Sequence, residues 1–159
     1  MSTMFTRLSE SDQAALHQRV LYRQIKFLNP VMRCDRQILL VGDRPAPDAP
    51  LDPDFHFTPF GALRHSSLYL NLKLHSAGIQ EERLSWVNSR DAWGEYSSHS
   101  VLLQPWILII ALGGAAEQWL KRSVCRSPII RVPHPAAWKR FHASEEYQLI
   151  PELVRALGV

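Results

Sequence analysis

The chain predicts a three-layer α/β/α sandwich around a central four-stranded, mainly parallel sheet, and three observations point there. Four short apolar runs each end in a polar or glycine signal: QILLVGD (Gln37 to Asp43), LSWVNS (Leu84 to Ser89), WILIIALGG (Trp106 to Gly114) and IIRVPHP (Ile129 to Pro135). Segments able to form crossover helices separate them, which parallel strands require. The third run is almost unbroken in its apolarity, as expected of a central strand covered on both faces. With 159 residues, 46% of them hydrophobic, the chain fits one domain over 1–159 and has material for both layers.

The elements follow in order. Ser9 to Leu28 reads as an amphipathic helix, opened by serines and an acid, striped by Ala14, Ala15, Leu16, Val20, Leu21, Ile25 and Phe27, and stopped by Asn29 and Pro30. The core from Gln37 to the end starts with a strand over Gln37 to Val41. Five prolines (Pro45, Pro47, Pro50, Pro53, Pro59) then forbid regular structure and predict a long, stiff loop over the sheet end. Ser66 to Gly78 carries both signals: Leu68, Leu70, Leu72 and Leu74 alternate as in a strand, while Ser66 and Gly78 are helix caps. The need for a crossover decides for a helix. Strands over Leu84 to Asn88 and Trp106 to Leu112 follow. Gly113 and Gly114 open a helix over Ala115 to Arg122 whose first amides point back at the sheet end. Ile129 to Val132 forms the last strand, and Ala136 to Leu157 is helical with a break near Pro151.

Composition narrows the function classes. Cys34 and Cys125 stand far apart with no second thiol near either, which excludes a four-cysteine metal cluster and makes a reducing, cytoplasmic setting the default. The seven histidines show no HxxxH or HxH spacing, so no metal or other cofactor is expected. No apolar run approaches the ~20 residues of a membrane span, and the start of the chain lacks the apolar core of a secretory signal. Net charge is only +3, but Lys121 to Arg140 holds six basic residues and no acidic one, whereas Asp43 to Asp54 holds four aspartates. A positive side of the sheet end is compatible with a nucleic acid partner.

Ligands of open parallel sheets bind beyond the carboxyl ends of the strands, so the residues closing each run are the candidates. Gly42 and Asp43, before Arg44 and Pro45, offer backbone amides and a carboxylate, or simply a turn. Phe60, between Pro59 and Gly61, offers a ring to stack on a flat ligand, or a core side chain. Asn88 donates and accepts, which suits reading a base edge and equally suits capping a turn. His134 is stiffened by the prolines on either side and delivered to the rim by its strand, where it can stabilise developing negative charge. Trp138, Lys139 and Arg140 join an aromatic to two cations, which fits either a phosphate contact with an apolar wedge or an ordinary amphipathic helix.

In order and spacing, these segments resemble the uracil-DNA glycosylase superfamily. GDRP at Gly42 to Pro45 resembles that family's GEAPG-like first motif, PFG at Pro59 to Gly61 its phenylalanine segment, and WVNS at Trp86 to Ser89 its asparagine-ended strand; IIALGGAA and HPAAW (His134 to Trp138) resemble its LG-helix and HPS motifs. The resemblance covers about Gln37 to the end and implies a cluster-free member that excises uracil or a modified pyrimidine from DNA after base flipping. It implies that Asp43 activates or places a water, Phe60 stacks on the flipped base, and Asn88 reads the pyrimidine edge beside Gly42. It further implies that His134 stabilises the departing base, Trp138 fills the hole in the duplex, and Lys139 and Arg140 grip the backbone. Asp43 is shorter than the usual glutamate, Arg44 replaces a small residue, and Ala136 replaces the serine of HPS. A noncatalytic nucleic-acid or nucleotide binder on the same fold, or an enzyme of free nucleotides or hypermodified DNA bases, is the alternative.

Overall fold

The computed structural model of the protein describes residues 9, 11, 38–45, 65–80, 83–91 and 94–158. Apart from Ser9 and Ser11, the helix expected over 9–28 lies outside them, as do the proline-rich stretch after Pro45 and Phe60.

Four strands, β1 (Ile38–Gly42), β2 (Leu84–Asn88), β3 (Leu108–Leu112) and β4 (Ile129–Val132), form one sheet in the order β2-β1-β3-β4. Every pairing is parallel, with Gly42 level with Asn88 and Leu112 level with Val132. The expected α/β sandwich is therefore correct, and its mainly parallel sheet is wholly parallel. β1 and β2 are buried along their whole length, and β3 is buried from its second residue on. That explains their continuous apolar runs, since a strand covered on both faces has no polar side.

Helix α1 (His65–Ser76) links β1 to β2, and α2 (Gly114–Lys121) links β3 to β4. Leucines Leu70 and Leu74 of α1 pack with Ile38, Leu40, Leu84, Trp86 and Ile110, on the sheet face also covered by α4 (Leu149–Leu157). Ala116, Trp119 and Leu120 of α2 pack with Leu39, Val41, Val87, Ile109 and Ala111 on the other face. Each fully buried leucine or isoleucine contributes about 1.5–3 kcal/mol of apolar burial, so the two layers hold the sheet from both sides. The leucine alternation in α1 is thus incidental, and the crossover requirement is the feature that decided its type.

Three boundaries differ from the sequence expectation. β3 begins at Leu108, because Trp106 turns its indole N–H to the Val101 carbonyl at 2.9 Å instead of entering the sheet. A 3-10 helix over His99–Leu103, capped by Ser98, occupies a stretch without periodicity. The tail breaks between α3 (Pro135–His142) and α4, before Pro151, which sits inside the first turn of α4. A proline there displaces no helical hydrogen bond, because first-turn amides have no intrahelical acceptor.

Strand order fixes where a ligand can enter. The chain leaves β1 toward one side and resumes at β3 on the other, so the carboxyl ends of β1 and β3 flank a topological switch point. Among the described residues, no helix is long and apolar enough to cross a membrane.

Candidate functional site

The carboxyl end of β1 is tied to that of β2 beyond the last strand residues. Gly42 and Asp43 accept backbone N–H bonds from Ser89 (2.9 Å) and Arg90 (2.8 Å), and the Asp43 carbonyl also accepts the Ser89 hydroxyl at 3.0 Å. Arg90 then donates twice to one carboxylate oxygen, Nε at 3.0 Å and Nη2 at 2.7 Å to Asp43 Oδ1. Both side chains are about a third exposed (33% and 35%), so this ion pair contributes only about 0–1 kcal/mol of stability. Its consequence is orientation: one Asp43 oxygen is fixed, and the carboxylate is pointed. Arg90 was not among the residues expected from sequence, because its pairing with Asp43 depends on β1 and β2 being neighbours.

Asn88 is 5% exposed at the end of β2. Its side-chain oxygen accepts the Trp86 indole N–H at 3.1 Å, and its backbone carbonyl accepts the Ser97 hydroxyl at 2.6 Å. Gly42 lies directly beneath: a Cβ there would stand 2.4 Å from Trp86 Cζ2 and 2.9 Å from Asn88 Oδ1. Glycine is needed at this position for space, which is a different reason from the turn that its neighbours suggest.

Across the switch point, β3 is followed by Gly113 at φ +95° and ψ 179°, a region essentially closed to residues with a side chain. Its amide donates to the Val132 carbonyl at 2.9 Å, and a Cβ on it would lie 3.0 Å from that of His134. The bare backbone therefore lets His134 settle against the end of β3. Tyr147 anchors the same exit, its hydroxyl donating to the Pro133 carbonyl at 2.6 Å; burial, helped by Tyr69, pushes its pKa up and keeps it a donor.

His134 caps α3, with Nδ1 accepting the Ala136 N–H at 3.0 Å and Pro135 filling the first helical position. A nitrogen that accepts an N–H carries no proton, so the neutral ring holds its hydrogen on Nε2. Burial lowers the His134 pKa below its ordinary value, and the Asp43 carboxylate opposes that shift. Asp43 follows β1 and His134 follows β4 in a wholly parallel sheet, so both come just after its carboxyl end. The sign of the pH dependence follows. Below about pH 6.5 the unfolded chain takes up a proton that the native imidazole still refuses, so stability falls with acidification. We expect the His134 ring carbon signal, followed by NMR, to titrate with a midpoint below that of an exposed histidine; a midpoint above it would contradict the buried neutral ring.

Asn88 and His134 close the two edge strands, with β1 and β3 between them. Three interstrand steps of ~4.8 Å separate their backbones by roughly 14 Å, so the two residues reach a common ligand only from opposite sides of it. Trp138 does not meet the expectation of an apolar wedge. Its ring is half-buried against the core, stacked on His142 at 4.3 Å, with its nitrogen buried. Helical phase turns it inward, while Lys139 and Arg140 are exposed and Phe141 is 78% exposed. Among the described residues, no group of three histidine, cysteine or acidic side chains could hold a metal ion.

No protein-family model matches the chain, and no curated protein matches it.

Proposed function

We propose that this protein hydrolyses the N-glycosidic bond of uracil or a modified pyrimidine in DNA, acting on a base turned out of the stack. The observation that carries this reading is the state of His134: a neutral imidazole, half-buried, with its hydrogen on Nε2, at the rim of an all-parallel sheet. A departing pyrimidine leaves as an anion, and a fixed neutral donor aimed at its oxygen stabilises charge that exists only as the bond breaks. Water adds to C1′ of the deoxyribose and gives up a proton to the Asp43 carboxylate, the base nitrogen leaves with the bonding pair, and solvent protonates the base afterwards. Asp43, held through Oδ1 by Arg90, orients the water and faces the positive charge developing on the sugar. Asn88 meets the base edge from the other side, and Lys139 and Arg140 supply exposed cations for phosphates.

The Arg90 clamp also favours a second reading, a noncatalytic binder of nucleic acid or nucleotides, because two guanidinium hydrogen bonds already occupy Oδ1 of the carboxylate. One experiment separates the two. Oligonucleotides containing uracil or other altered bases are incubated with the protein and probed for alkali-labile abasic sites. The hydrolase yields them, and Asp43→Asn slows their formation about 10²-fold or more, within the usual range for a general base. Binding that is unchanged by Asp43→Asn, with no abasic product, leaves the binder. In either case, duplex affinity carried by phosphate contacts falls steeply with salt.

A further inference from the structure

β4 forms one edge of the sheet, and its outer side is open. The Ile109 and Gly113 amides donate to the Pro128 and Val132 carbonyls, both at 2.9 Å, so Pro128, Ile130 and Val132 turn their backbone groups toward β3. Ile129 and Arg131 alternate with them and turn their N–H and C=O groups outward, where among the described residues no backbone bond reaches them. Their side chains lie on the α2 side: Ile129 is level with buried Ile109, and Arg131 donates to Glu117 at 3.1 Å. Exposed aliphatics stand beside this edge. Ile107 (55% exposed) leads into β3 and Val124 (90% exposed) into β4, and the Trp106 N–H bond to the Ser127 hydroxyl, at 3.1 Å, ties the two approaches together. The surrounding charge is positive, since Lys121, Arg122, Arg126 and Arg131 are exposed and the chain carries no acid from Lys121 to Arg140. Glu117, which Lys121 and Arg131 share, offsets only one of these cations.

We propose that the outer edge of β4 takes up an extended acidic segment of a partner protein as a fifth, antiparallel strand, with an aliphatic residue opposite Ile129 and a carboxylate opposite Arg131. In antiparallel pairing each outward residue exchanges both of its bonds with the residue facing it, so every outward group is paired, whereas a parallel strand pairs only half of them. Facing residues share a sheet face. In the partner's own direction the motif is therefore acid, any residue, aliphatic. Pro133 has no N–H and its carbonyl already accepts the Tyr147 hydroxyl, so the ladder stops there. A second copy fits the edge poorly, because antiparallel self-pairing sets Arg131 diagonal to its own counterpart, like charge near like charge. Nucleic acid would meet the cations but leave Ile107, Val124 and Ile129 without an apolar partner. The edge runs along the side of the sheet, so this proposal does not depend on the excision reading.

NMR of the full chain tests this by following the Ile129 and Arg131 amide signals during titration with acetyl-Thr-Glu-Val-Ile-Thr-amide, in which the glutamate faces Arg131 and the isoleucine faces Ile129. Both signals should move, and both amides should exchange more slowly with solvent. Lysine in place of the glutamate should weaken binding at least about fivefold at low salt, since it turns an attraction into a repulsion. Methylating the glutamate and isoleucine nitrogens removes both peptide donors to the edge and should weaken binding at least about tenfold. A methylated peptide that binds as well as its parent overturns the added strand, and a lysine peptide that binds as well overturns the acidic partner. A parent peptide that leaves both amides unmoved at millimolar concentration overturns the proposal outright. If a thymidine oligonucleotide moves the same amides at lower concentration than the peptide, the edge belongs to nucleic acid. If raising the protein concentration alone moves them, it belongs to a second copy, and either result overturns the proposal.

Discussion

His134→Ala should lower base excision about 10²–10³-fold, the usual cost of removing one preorganised donor to a developing anion. The variant also loses a helix cap, because Nδ1 of the same ring accepts the Ala136 N–H. That loss costs about 1 kcal/mol, or a drop of about 2–4 °C in unfolding temperature for a domain of this size. His134→Ser separates the two roles: a serine hydroxyl caps the helix but is too short to reach a ligand over the strand end. Both variants should be inactive, while only the alanine variant melts earlier. A serine variant that keeps wild-type excision would remove His134 from the chemistry and leave it a structural cap.

The layout was legible in the sequence wherever burial is two-sided. β1, β2 and β3 betray themselves as apolar runs, and their polar terminators fall at the sheet end: Asp43 lies beyond the last buried residue of β1 and reaches water, while Asn88 is buried with its side-chain oxygen bonded to Trp86. β4 was legible for another reason, since Pro128 and Pro133 bracket it although Ile129 and Arg131 are exposed. Side-chain partnership was not legible. Nothing local in WVNS tells that the tryptophan holds the asparagine, because that bond depends on both side chains facing one layer and on Gly42 leaving room beside them. Likewise the clamp of Arg90 on Asp43 joins residues 47 positions apart and follows only once β1 and β2 are known to be adjacent and in register. The place of Trp138 was not legible either, because only the phase of α3 against Tyr147 and the core shows that its ring packs inward.

Gly42→Ala should be the most damaging single methyl in the described sheet. The added Cβ would sit 2.4 Å from Trp86 Cζ2, 3.1 Å from Trp86 Cε2 and 2.9 Å from Asn88 Oδ1, all below ordinary contact. Neither neighbour is at the loose end of a flexible chain: the indole is 6% exposed in the core, and Asn88 is held through its carbonyl by Ser97. Relief therefore requires β1 and β2 to part or the Trp86 ring to tilt, and overpacking of this kind costs about 1–3 kcal/mol. Tilting the ring would also break its bond to Asn88. Thermal unfolding of Gly42→Ala, Trp86→Leu and the double variant measures the coupling. If the clash with the indole is the cause, the glycine substitution should cost less than half as much once leucine has made room, because contacting residues do not add. Equal penalties in both backgrounds would move the cause to the β1 backbone and detach Gly42 from the site.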